Sequence, residues 1–367
     1  MSLLGDLRRI PPLVGREWGY YRRRLRGCSL EPTYRCNLRC KMCGVHTLAG
    51  PGDKARELTR GEMLKIVDEL AEMGASWLQL IGGEPLLRAE DMLAVISRGN
   101  AKGIQTTVIT NGALIGEDLA REIVRARLQR LIFSVDGIGE VHDRVRGLEG
   151  AFERTCNGMR LVLEERRRQG AAFPVVEIQS TFSRLNCDQA EALVRFREEI
   201  GADKLVFLYV SEIPQSRLDA TRLDGEPLCT QRWAPGETSC LFGPEELKRF
   251  RGALERVPAD KAVRVFKALD DDAYLRCVFP TRCCYFMRSV LIINPFGDAY
   301  PCPHLDAYVT GNVCEVGVKG VWQNERHRKV IDGLREGMYP VCASCCVFGQ
   351  NLTPMQAVRV VLGKSLK

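Results

Sequence analysis

Apolar positions along this chain follow two alternating periods. Between residues 28 and 210, β-rich runs at 28–32, 77–81, 105–110, 130–135, 175–181 and 204–210, most of them near-continuously apolar, alternate with segments whose apolar residues recur every three or four positions. The runs have the character of strands covered on both faces and the longer segments that of amphipathic helices, so six successive βα units on a parallel sheet are predicted. Helix ends are chemically marked. Thr59 and Glu62 form a capping box ahead of Met63, Leu64, Ile66, Val67 and Leu70, and Gly74 is the stop. Asn186 with Gln189 gives a similar start ahead of Ala190, Leu193, Val194 and Phe196, with Gly201 at the far end, while Gly103 and Gly170 close the helical stretches that begin near Ala89 and Ala151. Six such units build either a partial (βα) barrel or an open doubly wound sheet, and periodicity alone does not choose.

Beyond residue 210 the pattern breaks. Residues 211–242 carry prolines and glycines without a period and form a long loop or bridge over the barrel mouth. A helix is predicted from about 244 to 256, then a cysteine- and turn-rich region with a hairpin: 290–294, a turn at Gly297 and Asp298, and 299–302. Thr353 and Pro354 are the cap and first residue of a terminal helix. The expected organisation is a basic N-terminal extension (1–27), a barrel (28–210), a bridging loop and helix (211–276), a cysteine-rich domain (277–352) and a C-terminal helix (353–367).

With 367 residues, 45% of them hydrophobic, the chain can bury the core of one large domain plus a small appendage. No apolar run reaches the roughly 18 residues needed to cross a bilayer and no secretory signal is visible, so a cytoplasmic protein is expected. Its sixteen cysteines are then better metal ligands than disulfides. Most lie in three groups, Cys36 to Cys43, Cys277 to Cys302 and Cys342 to Cys346; Cys28, Cys156, Cys187, Cys229, Cys240 and Cys314 are scattered and are taken as small packing residues. The net charge of +7 is concentrated early, where Arg8, Arg9, Arg16, Arg22, Arg23, Arg24 and Arg26 accompany Trp18, Tyr20 and Tyr21. A solvated helix laid on the main domain is the plain explanation; peripheral contact with an anionic membrane surface is the functional one. Nothing else resembles a nucleic-acid-binding motif, and no nucleic-acid partner is expected.

Two motifs follow the first two strands. Cys36-Asn-Leu-Arg-Cys40-Lys-Met-Cys43 places three thiolates within eight residues, enough to hold three irons of a cubane cluster and leave a fourth open. A zinc site is the alternative, with His46 as the nearby extra ligand. Gly82-Gly83-Glu84-Pro85 stands at a strand C-terminal end, where ligands of βα folds sit, and its glycines let a ligand approach the backbone.

Together these motifs resemble the radical S-adenosylmethionine (SAM) superfamily over about residues 28–210. The resemblance implies an α/β fold, a partial (βα)6 TIM-like barrel with a small cysteine-rich C-terminal auxiliary-cluster domain. It further implies that Cys36, Cys40 and Cys43 ligate a 4Fe-4S cluster whose open iron is chelated by SAM, and that Gly82, Gly83, Glu84 and Pro85 lie along the SAM methionyl group. The run Ser134-Val-Asp136-Gly137 resembles the family's fourth-strand Ser-x-Asp segment, in which the serine approaches the SAM ribose; Asp136, Asn111 and Gln179 or Ser180 are further candidates for that pocket. Met42 stands where the family usually places an aromatic residue beside the adenine. Cys277, Cys283, Cys284, the Gly297-x4-Cys302 step and Cys342-x2-Cys345-Cys346 resemble SPASM and twitch extensions, which carry auxiliary 4Fe-4S clusters. No cysteine follows Cys346, so the one-cluster twitch pattern fits better, with Cys284, Cys302, Cys342 and Cys345 as ligands, Cys283, Cys346 and Cys277 as alternatives, and a zinc ribbon as the other metal reading.

The stretch His142-Asp143-x-Val-Arg146-Gly147 also resembles the SPASM-bearing group and is expected to be structural. His304, Asp306, Tyr209 and Glu212 are candidates for substrate contact or proton transfer. The implied activity is reductive cleavage of SAM to a 5'-deoxyadenosyl radical that takes a substrate hydrogen, for oxidation or rearrangement of a small molecule, sugar or lipid, with a reductant such as flavodoxin or ferredoxin as partner. A peptide substrate is the alternative, and a non-catalytic iron-sulfur protein for electron transfer or scaffolding is the reading from another class.

Overall fold

The structure, a computed structural model, describes residues 23–45, 57–230, 239–258 and 261–366. Arg8, Arg9, Arg16, Trp18, Tyr20, Tyr21 and Arg22 of the basic segment, and His46, lie outside the described residues.

The predicted alternation is realised as β1 (Gly27–Leu30), α1 (Arg60–Glu72), β2 (Trp77–Leu80), α2 (Ala89–Ala101), β3 (Gln105–Thr110), α3 (Glu117–Arg125), β4 (Arg130–Ser134), α4 (Glu140–Arg146), α5 (Ala151–Arg168), β5 (Val175–Phe182), α6 (Ala190–Ile200) and β6 (Lys204–Tyr209). The six strands are parallel and adjacent in chain order, the arrangement of a partial (βα)6 barrel. Register separates the two faces of the sheet. Leu30, Leu80, Val108, Leu131 and Val176 lie near one another on successive strands and join the core that α1 and α2 cover with Met63, Ile66, Val67, Leu70, Met92 and Val95. The opposite, inner face carries a polar row, Ser29, Gln79, Thr107 and Arg130, with Ser134 and Gln179 paired nearer the strand ends.

The Thr59 capping box forms, with Thr59 N–H on Glu62 at 2.7 Å, and Gly74 follows in the left-handed region at φ 73°. Asn186 behaves differently. It caps no helix: its Nδ2 donates to the carbonyls of Asp136 (2.7 Å) and Thr181 (3.0 Å), and α6 starts later, after Gln189. The Asx-type pattern was legible, but the loop between β4 and α4 competes for that side chain.

After β6 come α7 (Gln215–Ala220), a two-residue ladder of β7 (Arg222–Leu223) and β8 (Glu226–Pro227), and the helices α8 (Pro244–Glu255), α9 (Lys261–Ala268) and α10 (Asp271–Leu275). The hairpin is β9 (Val290–Ile293) and β10 (Asp298–Tyr300), joined by β11 (Gly311–Asn312). It extends the barrel sheet: β9 runs parallel beside β1, Gly27 opposite Val290, giving the order β11-β10-β9-β1-β2-β3-β4-β5-β6. Val290–Ile293 is buried at every residue, as a strand covered on both faces requires, and it satisfies the otherwise unpaired edge of β1. Two helices in the cysteine-rich region, α11 (Val313–Gln323) and α12 (Glu325–Glu336), had no predicted counterpart; Gly317, at φ 70° inside α11, interrupts its period. The capped terminal helix is α13 (Pro354–Val361). A second, smaller core of Ile213, Leu218, Leu228, Met287, Leu305 and Tyr308 includes Cys284, with Cys302 and Cys342 packed against it. Among the described residues no helix is long and apolar enough to cross a membrane.

Candidate functional site

The loop leaving β1 carries Cys36, Cys40 and Cys43, all partly exposed and free of disulfides. It is anchored to the ends of the next strands by backbone contacts that only glycine permits. Gly83 N–H donates to the Thr33 carbonyl and Glu84 N–H to that of Arg35, both at 2.8 Å; a Cβ on Gly83 would lie 2.1 Å from the Arg35 oxygen. The Glu84 carboxylate, 1% exposed, accepts from Leu86 N–H (3.0 Å), Thr110 Oγ1 (2.8 Å) and Asn111 N–H (2.8 Å), so it fastens the end of β2 to the end of β3. Asn111 then donates Nδ2 to Asn37 inside the cysteine loop at 2.7 Å.

A second anchor comes from the end of α4. Lys41 N–H donates to the Val145 carbonyl at 2.9 Å, and Gly147, at φ 70°, would place a Cβ 2.3 Å from the Arg39 carbonyl oxygen. Between them, Arg146 holds a guanidinium nitrogen 3.7 Å from Cys40 Sγ and pairs with Asp136 at 2.7 Å. Asp136 is fully buried and also accepts the Thr181 N–H at 2.8 Å, and its own N–H donates to His142 Nδ1 at 3.2 Å. Asp136, expected among the SAM-binding residues, has its carboxylate engaged by Arg146 and Thr181.

Charge around the sulfurs favours an electron-poor partner. Burial pushes the Cys36 thiol up to about 11, opposed by the Leu38 N–H that reaches its sulfur at 3.4 Å. Burial also raises Cys40, with Arg146 pulling it back down. Partly buried sulfurs that already receive N–H donors are suited to thiolates on a metal. At the mouth, Ser134 and Gln179 share one face by register, whereas Ser180 points to the other face and is fully buried. Met42 packs half-buried against the core, and Pro85 begins a buried turn of 3₁₀ helix.

The second group of cysteines lies on the smaller core. Burial raises Cys302 far above the ordinary thiol value, and Cys346, Cys284, Cys342 and Cys345 each push the same way, which places these five sulfurs in one neighbourhood. Cys284 is raised to about 12 by burial, while the Met287 N–H reaches its sulfur at 3.4 Å. Cys277 is fully buried, its thiol 3.8 Å from the Val210 carbonyl. Among the described residues no three His, Cys, Asp or Glu side chains gather as one metal ion requires; a cubane instead takes each thiolate on a different iron. Cys229, taken from the sequence as a packing residue, lies half-buried on the same small core and electrostatically couples to Cys342.

The four candidates for proton transfer have other partners. Tyr209 donates to the Tyr274 carbonyl (2.6 Å) and accepts from Phe242 N–H (2.8 Å), and burial raises its phenol strongly. Asp306 holds Thr230 through its N–H (2.8 Å) and Oγ1 (2.7 Å). Glu212 holds Ser239 Oγ (2.6 Å) and Cys240 N–H (2.5 Å), which brings the Cys240 thiol within 3.9 Å of the Lys41 carbonyl and lays the bridge across the cysteine loop. His304 is buried, with Nε2 3.3 Å from Ser211 Oγ. Tyr209, Asp306 and Glu212 thus each fasten a neighbouring segment by hydrogen bonds, and His304 lies at the junction between bridge and cysteine-rich region. Sequence reasoning named Arg146 only as part of a structural stretch and missed Asn37, an unassigned position inside the three-cysteine motif, and Asn351, which follows the last cysteine group.

A partial (βα) barrel with a three-cysteine loop at its mouth and a second cysteine group on an appended core defines an iron-sulfur barrel enzyme. The family model for the radical SAM superfamily matches residues 30–176, and that for the SPASM iron-sulfur cluster-binding domain matches residues 283–346. The AdoMet-dependent heme synthase of Methanosarcina barkeri is 28% identical over 337 residues, covering 86% of this chain and 89% of that protein. The mycofactocin maturase MftC of Mycolicibacterium smegmatis is 27% identical, covering 86% and 74%. The solved structure of anSMEcpe with bound AdoMet shares the fold, with a TM-score of 0.60 at 18% identity over 92% of each chain. The chain belongs to the radical SAM superfamily and carries a SPASM-type domain. Its cofactors are accordingly a 4Fe-4S cluster, SAM and auxiliary iron-sulfur, and the donor sets described above fit them.

Proposed function

We propose that Cys36, Cys40 and Cys43 hold the SAM-binding 4Fe-4S cluster and that Cys284, Cys302, Cys342 and Cys345 hold one auxiliary 4Fe-4S cluster, in an oxidoreductase acting on a polar organic substrate. The observation that carries this is the Arg146 guanidinium presented to Cys40 by a buried carboxylate, a fixed cation where negative thiolate charge must be balanced. With clusters and SAM bound, the chemistry supplied is reductive cleavage of SAM and removal of a substrate hydrogen atom, the remaining substrate electron having the auxiliary site as its outlet.

The chain's own residues orient and enclose. Gly82, Gly83 and Pro85 shape the loop beside the cysteines, and Ser134, Gln179, Asn111 and Met42 line the side assigned to SAM. Asp136 and Glu84 are positioning residues, the first through Arg146 and the second through the ends of β2 and β3. Glu212 holds the Cys240 N–H, and so the end of the bridge that meets the cysteine loop at Lys41. The inner-face row of Ser29, Gln79 and Thr107 supplies hydrogen-bonding groups below the mouth, which favours a small molecule, sugar or lipid headgroup. A peptide substrate has separate support in the likeness to the mycofactocin maturase, and a tetrapyrrole in that to the heme synthase. A flavodoxin or ferredoxin is the reductant.

Iron and sulfide analysis of the anaerobically reconstituted chain tests the ligand sets. The Cys36, Cys40 and Cys43 triple-alanine variant should lose one cluster's worth of iron, and the Cys284, Cys302, Cys342 and Cys345 quadruple-alanine variant another. Full loading of either variant overturns that half of the assignment. Deuterium transfer into 5'-deoxyadenosine from labelled sugar, peptide or tetrapyrrole then separates the substrate classes.

A further inference from the structure

The auxiliary site contains two adjacent cysteine pairs, Cys283-Cys284 and Cys345-Cys346, and spacing does not say which member of each binds metal. One buried amide touches both pairs. Asn351, 1% exposed, follows a short 3₁₀ turn (Phe348–Gln350) and precedes α13, outside the matched residues 283–346. Its Oδ1 accepts the N–H groups of Tyr285 (2.8 Å) and Phe286 (3.3 Å), which directly follow the first pair. Its main-chain carbonyl accepts the Cys283 thiol at 3.0 Å. Its Nδ2 donates to Cys345 Sγ at 3.5 Å. The two backbone donors on Oδ1 fix the orientation of the amide, leaving the N–H₂ end for sulfur.

The two members of the first pair therefore differ. Cys283 is a donor to a carbonyl, which a ligating thiolate cannot be. Cys284 is an acceptor, its sulfur receiving the Met287 N–H at 3.4 Å. We propose that Asn351 is a positioning residue of the auxiliary site: it turns Cys283 away, so that Cys284 faces the metal, and it stabilises Cys345 as a thiolate through an N–H···S bond. This rests on the assignment of an auxiliary cluster to Cys284, Cys302, Cys342 and Cys345. A donor to a ligand sulfur favours the reduced cluster, which carries more negative charge on its sulfurs.

The test uses the full chain, reconstituted anaerobically, with the auxiliary signal defined as the electron paramagnetic resonance signal lost in the quadruple-alanine variant and kept in the triple-alanine variant. Asn351→Asp keeps the side-chain size and the Oδ1 acceptor but replaces the donor with a carboxylate oxygen. Its auxiliary midpoint should move to more negative potential, with a tenfold or greater fall in the ratio of reduced to oxidised cluster at the wild-type midpoint. Independently of how Asn351→Asp folds, Cys283→Ser should keep the auxiliary iron and Cys284→Ser should lose it. An unchanged midpoint in a loaded Asn351→Asp protein, or iron loss in Cys283→Ser with retention in Cys284→Ser, overturns the role of Asn351. Undiminished iron in the quadruple-alanine variant is a different failure, that of the auxiliary-cluster assignment itself.

Discussion

Arg146 stands 3.7 Å from Cys40 Sγ while its guanidinium is held at 2.7 Å by Asp136, a carboxylate with no exposed surface. The cation is thus fixed before any metal arrives and cannot swing to solvent. Removing it should make the first cluster harder to reduce. In Arg146→Gln the midpoint should fall by about 60 mV or more, the equivalent of roughly 1.4 kcal/mol for one electron, with iron content retained. Arg146→Lys should recover part of the shift. A potentiometric titration in which Arg146→Gln matches wild type removes the electrostatic role.

Gly83 tests how the cysteine loop docks. A Cβ there meets the Arg35 carbonyl oxygen at 2.1 Å, so Gly83→Ala must displace backbone, at a cost on the order of 1–3 kcal/mol. Iron at the first site should drop while the auxiliary signal persists. Wild-type loading and an unchanged thermal midpoint would show that the loop adjusts freely.

Glu84→Gln isolates the tie between strand ends. The carboxylate has three donors and no exposure to water, and an amide cannot accept all three. A loss of about 1–3 kcal/mol in denaturant unfolding is expected. A variant as stable as wild type would mean that these bonds rearrange without cost.

Much of this was legible in the sequence, because the signals were local. The capping box at Thr59, the strand runs and the Gly82-Gly83 turn each rest on residues adjacent in the chain. What was not legible depends on pairing across long separations. The alignment of Val290 with Gly27 requires the barrel edge to exist first, and the bond from Asn351 to Cys345 depends on the fold of both segments. The bonds of Asp136 to Arg146 and of Glu84 to Thr110 and Asn111 were likewise not legible, since a sequence motif marks a position without naming the partners that the fold brings to it. Tyr209, Glu212 and Asp306 have the chemistry of acids and bases, yet their bonds to Tyr274, Ser239 and Thr230 were invisible before the chain was folded.

Acid should loosen the same network. Burial, with help from Arg146, drives His142 from 6.5 down to about 3, and its Nδ1 accepts the Asp136 N–H. As pH falls below 6.5 the unfolded chain takes up the proton first, so stability declines from about pH 6.5 towards pH 3, by up to about 1.4 kcal/mol per unit for this one group. His327, also lowered to about 3 by burial, adds to the slope. His142→Asn should flatten the stability profile between pH 6.5 and 5 by one proton's share; an identical slope would assign the acid sensitivity elsewhere.

The central claim is that the loop of Cys36, Cys40 and Cys43 supports radical SAM chemistry. The most direct measurement is anaerobic: protein reconstituted with iron and sulfide is given SAM and dithionite, and 5'-deoxyadenosine is followed by chromatography beside the Cys36, Cys40 and Cys43 triple-alanine variant. Formation by the wild-type chain and none by the variant is the predicted result. Equal amounts from both proteins, or none from a wild-type chain whose first cluster is fully loaded and which has been offered substrates of each class, would contradict it.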